Sequence, residues 1–226
     1  MKRPRVKICC IASVEEARLA IRHGAAAIGL VSEMPSGPGV IPEPLIAEIA
    51  ASVPSGVGTF LLTCKQSVDA IAGQQRRTGV NTVQICDELA EGGLPELRTA
   101  LPGITLVQVI HVDGDDAVAR AVAVAPSVDA ILLDSGNPRL AVKELGGTGR
   151  RHDWTISRRI REQVDVPVYL AGGLEAGNVA EAIATVGPFA LDVCSGVRSA
   201  GRLDAAKLES FFAAVKRAPA VCYDSR

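Results

Sequence analysis

Short aliphatic or β-branched runs alternate along the chain with longer segments whose apolar residues recur at helical spacing. The runs are Arg5–Cys10, Ala26–Val31, Gly58–Thr63, Thr82–Cys86, Thr105–Val112, Ala130–Asp134, Val166–Ala171 and Phe189–Cys194. The intervening segments read as helices over Val14–His23, Pro44–Ser52, Ser67–Thr78, Gly93–Leu101, Asp116–Ala125, Trp154–Gln163 and Ala176–Val186, with Asp204–Lys216 closing the series. Nearly continuous apolar runs are the mark of parallel strands covered on both faces. Helix starts are signalled by Ser13 with Glu16 three residues on, which fits a capping box, and by the capping carboxylates Asp153 and Asp204.

Eight strand–helix units in 226 residues predict an α/β chain folded as a single-domain TIM barrel, (βα)8. The core is expected over about 5–217, with 218–226 as a flexible tail, and no linker divides the chain. An open doubly wound sheet is the alternative. Against it, Cys9-Cys10-Ile11-Ala12 stands where a dinucleotide-binding G-x-G-x-x-G would follow the first strand.

Composition narrows the function. Aromatics are only 3% of the residues and apolar residues 48%, so the core must be aliphatic. The 24 Lys and Arg nearly balance the 25 Asp and Glu, giving a net charge of −1. Neither a basic field nor a base-stacking surface is available, so nucleic acid is not expected as a partner. No run reaches the length of a membrane span, and the N-terminus lacks the apolar region of a secretory signal. Cys9, Cys10, Cys64, Cys86, Cys194 and Cys222 form no C-x-x-C pair, so free thiols in the cytoplasm are expected.

In a barrel the chemistry sits where strands end. Gly172-Gly173 after the seventh run and Ser195-Gly196 after the eighth can present backbone N–H groups to a phosphate, with a short helix adding its positive end. The alternative for each pair is a tight turn. The Gly146–Gly149 segment lacks the Gly-Lys-Ser/Thr of a nucleotide-phosphate loop. Cys9 and Asp134 end the first and sixth runs and could divide the work of base and acid. Taken singly, Cys9 also fits a small buried apolar residue and Asp134 a loop cap. Lys7, on the face of Cys9, suits an electrostatic role or a Schiff base. A soft-metal site at Cys9, Cys64, Cys86 and Cys194 is disfavoured by their mixed directions, and His23, His111 and His152 are scattered.

Lys7-Ile8-Cys9, Leu132-Leu133-Asp134-Ser135, Gly146-Gly147-Thr148-Gly149 with Asp153-Trp154, Ala171-Gly172-Gly173-Leu174 with Asn178-Val179, and Asp192-Val193-Cys194-Ser195-Gly196-Val197 together resemble phosphoribosylanthranilate isomerases, in order and in spacing, from about Val6 to Val215. The resemblance implies an Amadori rearrangement in tryptophan biosynthesis, with no metal and no organic cofactor. It implies Cys9 as general base and Asp134 as general acid. Gly172, Gly173, Ser195 and Gly196 become phosphate ligands and Asp192 a ribose-hydroxyl contact; beside these, Lys7 is expected on the substrate- and phosphate-binding side from its own position on the first run. The partner would be a small phosphorylated aminosugar, handled by a monomer or homodimer. A phosphosugar lyase or aldolase using Lys7, and a non-catalytic phosphosugar-binding paralogue, are the competing functions.

The match breaks in one area. Cys10 stands where the family has Gly, and on strand alternation its side chain should turn away toward the helices. Gly39 stands where an Arg meets the anthranilate carboxylate, Cys86 where His is usual, and Arg198 where Glu is usual. Either Lys65, Arg139 or Lys143 supplies the missing cation, or the aryl amine differs. On this reading, Gly39→Arg should improve turnover of the anionic substrate; if Gly37-Pro38-Gly39 needs φ > 0 at residue 39, Arg strains the loop instead.

Overall fold

The computed structural model describes residues 3–90, 92–137, 139–147 and 149–220. Cys222, Thr148 and most of the expected tail lie outside the described residues. Eight parallel strands close into a barrel in sequence order: β1 (Arg5–Ile8), β2 (Ala27–Val31), β3 (Gly58–Thr63), β4 (Thr82–Ile85), β5 (Thr105–His111), β6 (Ala130–Asp134), β7 (Val168–Leu170) and β8 (Ala190–Val193). β1 pairs with both β2 and β8, which closes the ring. Outside it run α1 (Val14–His23), α2 (Glu43–Ser52), α3 (Val68–Thr78), α4 (Leu94–Ala100), α5 (Asp116–Val124), α6 (Trp154–Gln163), α7 (Val179–Val186) and α8 (Ala205–Arg217). Among the described residues no helix is long and apolar enough to cross a membrane.

Period-two alternation divides each strand between two cores. Val6, Ile8, Leu30, Ile131, Leu133, Leu191 and Val193 face outward and pack under the helices. Ala27, Phe60, Leu62, Val107, Val109, Ala130 and Leu132 fill the barrel interior. Lys7 and Cys9 reach inward from the first strand and its end, and Gly29 of β2 makes room for them. A Cβ at Gly29 would lie 2.9 Å from Cys9 Sγ and 3.2 Å from Lys7 Cε.

Local chemistry sets the element ends. Ser13 Oγ accepts from Glu16 N–H, while the Glu16 carboxylate accepts from Ala12 N–H, one residue earlier than a standard capping box. Asp153 and Asp204 cap α6 and α8 through their carboxylates as expected. Several expected elements are shorter than the pattern suggested, and three of them have a clear local cause. β1 stops at Ile8 because Cys10 adopts φ of 61°. β7 starts only after Pro167, which has no N–H for the ladder. α7 starts at Val179 rather than Ala176, because the Asn178 side chain ties residues 173–178 into a turn: it accepts from Glu175 N–H and donates to Gly173 O.

Candidate active site

The C-terminal ends of the strands open into a pocket lined by Cys9, Gln84, Cys86, Asp134, Gly172, Gly173, Asp192 and Ser195, with Val31, Met34, Pro38, Leu62 and Leu145 on its apolar side. The loop between β6 and α6 roofs it. Ser36 Oγ donates to Lys143 O at 2.6 Å, and a Cβ on Gly147 would strike Pro38 Cδ at 2.6 Å. A Cβ on Gly173 would lie 3.0 Å from the backbone of Gly149, Arg150 and Arg151. With the roof seated only about 70 Å³ is free, far below the several hundred Å³ of a typical ligand pocket. A roomier cleft of about 760 Å³ lies beside it, against β4, β5 and α5, but only Cys86 is shared and the acid–thiol pair does not face it.

Beneath Cys9 sits a buried ion pair. Lys7 has no exposed surface, and its Nζ lies 2.8 Å from Asp192 Oδ2 and 3.8 Å from Cys9 Sγ. The pairing is built by register, since Lys7 and Asp192 are partners in the β1–β8 ladder. Burial alone would push the Lys7 ammonium down. The charges of Asp192 and Cys9 outweigh it and hold the ammonium well above the ordinary range. Lys7 does not line the pocket, so the expectation of a direct substrate contact is corrected. It is a fixed positive charge under the thiol, sealed from substrate. A permanently charged amine is also a poor Schiff-base nucleophile.

Asp134 ends β6 with its carboxyl buried. Burial raises it, the Ser135 N–H bond at 2.7 Å and the neighbouring His111 oppose, and the nearby Asp192 adds to the rise. The net is a carboxyl held above the ordinary carboxylate range. Its other oxygen faces Gly146 of the roof, where a Cβ would come within 2.6 Å. Asp192 keeps one buried oxygen, Oδ1, without a hydrogen-bond partner among the described residues, at the pocket wall. Such an acceptor wants a donor.

Gly172 and Gly173 both have φ in the left-handed region, 84° and 62°, so they make the tight turn and also bare their backbone to the pocket. Ser195 starts a single 3₁₀ turn over Ser195–Val197 and lines the pocket. Gly196 does not line it. A Cβ there would come 2.0 Å from Leu174 O, so that glycine lets the turn after β8 pack on the turn after β7.

The remaining departures converge on one corner. Cys10 does not turn away to the helices. With the strand already ended and φ at 61°, its side chain enters the pocket, where its Sγ lies 2.8 Å from Cys194 Sγ. Across from it, Gly39 has φ of 80°, and a Cβ there would meet Cys10 Cβ at 2.5 Å. The two departures are therefore reciprocal, one side chain filling the space the other vacates. Arg198 closes the corner, donating to Cys10 O at 2.5 Å and Cys9 O at 3.2 Å while pairing with Glu16. This clamp was not foreseen, and its only sequence signal was the odd residue at 198.

None of Lys65, Arg139 or Lys143 lines the pocket. They pair instead with Glu33, with Asp113 and Asp116, and with Asp87. His111 faces the neighbouring cleft, its Nε2 3.1 Å from Cys86 O. Among the described residues no cluster of three or more His, Cys, Asp or Glu could hold a metal.

A closed (βα)8 barrel with a buried carboxyl and a thiol lining one pocket at its C-terminal mouth places this chain in the TIM-barrel fold class. Comparison with known proteins narrows this to one family. The family model for N-(5'-phosphoribosyl)anthranilate (PRA) isomerase matches residues 6–214, and the chain belongs to that family. The N-(5'-phosphoribosyl)anthranilate isomerase of Haloferax volcanii is 38% identical over 216 residues, covering 95% of this chain and 94% of its own. An isomerase of Methanosarcina mazei, the second of that name there, is 36% identical with 92% of each chain covered. The phosphoribosyl anthranilate isomerase structure from Thermotoga maritima superposes with a TM-score of 0.78 at 28% identity, covering 94% of this chain and 98% of its own. Another such isomerase, solved with reduced 1-(o-carboxyphenylamino)-1-deoxyribulose 5-phosphate, superposes with a TM-score of 0.75 at 26% identity and the same coverage.

Proposed function

We propose that the chain catalyses the Amadori rearrangement of N-(5'-phosphoribosyl)anthranilate, or a close aryl-amine analogue, to the 1-amino-1-deoxyribulose 5-phosphate, as a step of tryptophan biosynthesis in the cytoplasm. The observation that carries this reading is the placement of Cys9 and Asp134 on one pocket, with a buried cation beneath the thiol. Asp134, protonated because its site is buried, gives its proton to the ring oxygen, and the furanose opens to an imine. Cys9, its sulfur 3.8 Å from the Lys7 ammonium, acts as the base that takes the proton from C2, and the enolamine formed tautomerises to the ketone. Each transfer is worth about 100-fold or more. Gly172, Gly173 and Ser195 receive the phosphate, Gly196 supports their turn, and Asp192 Oδ1 accepts from a ribose hydroxyl. Remote phosphate binding then aligns the sugar for proton transfer.

The test is turnover of the anthranilate compound, followed by loss of substrate fluorescence, in the wild type, Cys9→Ala and Asp134→Asn. A wild type that binds the compound without converting it would leave only the phosphosugar-binding reading. Some members assemble; one Thermotoga structure is described as monomers generated from a dimeric isomerase. Sedimentation of this chain would settle whether it is a monomer or a homodimer.

A further inference from the structure

Cys10 and Cys194 take no part in the acid–base scheme, yet their sulfurs are 2.8 Å apart in the wall of the reaction pocket. That separation lies much nearer to the ~2.05 Å of a disulfide than thiols in ordinary contact do. We propose that Cys10 and Cys194 are an oxidation site, closing to a reversible disulfide when a hydroperoxide enters the pocket and thereby slowing the isomerase.

Three observations assign the roles. Cys194 is the more open of the two, and its ionised form is favoured first by the hydrogen bond from the Cys10 thiol and then by the nearby Arg198 guanidinium. Cys10 is 5% exposed and held in the left-handed region, where a non-glycine residue is strained unless its surroundings impose it. Its surroundings do so. Gly39 leaves it room, Pro38 O lies 3.6 Å from its sulfur, and Arg198 grips its carbonyl. The geometry keeps one thiol aimed at the other.

The chemistry balances without any group from the protein beyond the two thiols. The Cys194 thiolate attacks one oxygen of the hydroperoxide and the O–O bond breaks. The alkoxide leaves as an alcohol after taking a proton, and Cys194 is left as a sulfenic acid. The Cys10 sulfur then attacks Cys194 sulfur, its proton joins the departing hydroxide, and water leaves. Two thiols and one hydroperoxide give one disulfide, one alcohol and one water. In a reducing compartment such a bond is transient, which suits a sensor.

The consequence for turnover rests on Cys9 being the base. Cys9 precedes Cys10 on the backbone, and Arg198 binds both carbonyls. Drawing Cys10 toward β8 therefore shifts the Cys9 sulfur. A displacement approaching 1 Å in a reacting group lowers the rate by at least ~10-fold.

The experiment treats the reduced full chain with hydrogen peroxide and follows two readouts: the intact mass with a non-reducing peptide map, and turnover referred to each protein's own untreated value. The wild type should lose two hydrogen masses, yield a peptide joining residues 10 and 194, slow by at least ~10-fold, and recover with dithiothreitol. Cys194→Ser and Cys10→Gly, the latter suited to the backbone at that position, should form no link and keep their untreated turnover. The proposal is overturned if the 10–194 link does not form, if it forms with turnover unchanged, or if Cys194→Ser slows as the wild type does, which would make Cys9 the target. Because the link is read by mass, an inactive wild type would count against the isomerase reading while leaving the oxidation site open to test.

Discussion

Two parts of the same mouth were built by different rules. On one side Lys7, Asp192, Cys9 and Asp134 occupy or immediately follow regular strands, and their directions follow from ladder register and period-two alternation. On the other, Cys10, Gly39, Cys194 and Arg198 sit where strands have ended, and two of the four have positive φ. The first part is rigid machinery whose geometry is inherited from the barrel. The second is a corner in which Cys10 occupies the space that a side chain at 39 would need. If the proposed roles hold, chemistry and specificity can drift apart within one pocket, with strands fixing the first and loops carrying the second.

The sharpest way to break this picture is to attack the strand-built part. Lys7→Met removes one partner of a fully buried pair and leaves Asp192 uncompensated. The expected cost is about 3–5 kcal/mol, a Tm fall of roughly 10 °C for a domain of this size. Adding Asp192→Asn should recover much of it, because the stranded charge is then gone. Thermal melts of the two variants decide the matter. An unchanged Tm in Lys7→Met would mean that the pair contributes nothing to the frame.

Next in size are the reacting groups. Cys9→Ala and Asp134→Asn should each lower kcat by about 100-fold or more, with little loss of fold. The sign of the pH effects can be stated for Asp134. Its folded carboxyl lies above the ordinary range, so the active protonated acid persists past that range and is lost as pH climbs through the raised value. In stability terms, the folded state holds the proton more tightly than the unfolded chain. Ionisation therefore costs the wild type stability over that same rise. Asp134→Asn should then be at least as stable as wild type near neutrality, and the difference should vanish in acid. If the variant melts lower at neutral pH, the buried-acid assignment fails.

Much of this was legible in the sequence, and the limits have physical causes. The order of eight strand–helix units came from hydrophobic period alone, because parallel strands covered on both faces leave an unmistakable aliphatic signature. Cys9, Asp134, Asp192 and the Gly172-Gly173 turn lie at the mouth as expected because they sit at or just past the C-terminal ends of strands. Cys10 was misplaced because alternation was extended two residues past the point where β1 ends. Lys7 was recognised as facing inward, but whether it reaches the pocket or stops beneath it depends on Gly29 of the next strand, a tertiary fact. Gly196 could be a ligand or a packing glycine on sequence grounds, and only the nearness of Leu174 O shows the packing demand. The Glu16–Arg198 clamp joins residues 182 positions apart, beyond any local pattern.

A smaller effect probes the coupling within the loop-built corner. Gly39→Arg alone was expected to help an anionic aryl substrate. The structure favours the other outcome, a strained loop, because any side chain at 39 meets Cys10 Cβ at 2.5 Å on a backbone of φ 80°. Of the two outcomes open on sequence grounds, loop strain is therefore the one expected: the single variant should lose stability and gain nothing. With Cys10→Gly added, the obstruction is removed and a guanidinium can reach a carboxylate, raising kcat/KM for the anthranilate compound by about 10-fold over Cys10→Gly alone. A carboxamide analogue should show no such gain. Additive behaviour of the two substitutions would refute the reciprocity.

The smallest expected effect belongs to the clamp that ties this corner to the barrel. Glu16 accepts from Arg198, from Leu203 N–H at 2.9 Å and from Ala12 N–H at 3.1 Å. Burial works to raise its carboxyl, but the Arg198 and backbone bonds prevail and hold it below the ordinary range. A depressed folded value means that the stabilisation is present above the ordinary glutamate range and is lost as pH falls through the folded one. Glu16→Gln keeps the shape but forfeits the charge-assisted bonds. The site is partly open to solvent, so the expected cost is only about 1 kcal/mol, a Tm shift of a few degrees. The loss should be visible at neutral pH and absent in acid, where the wild-type carboxylate is itself protonated. Turnover should change far less than in Cys9→Ala, because the clamp holds the carbonyls of Cys9 and Cys10 and touches no reacting atom. A large fall in kcat with Tm unchanged would mean that the corner positions the base directly, and the division between the two parts of the mouth would collapse.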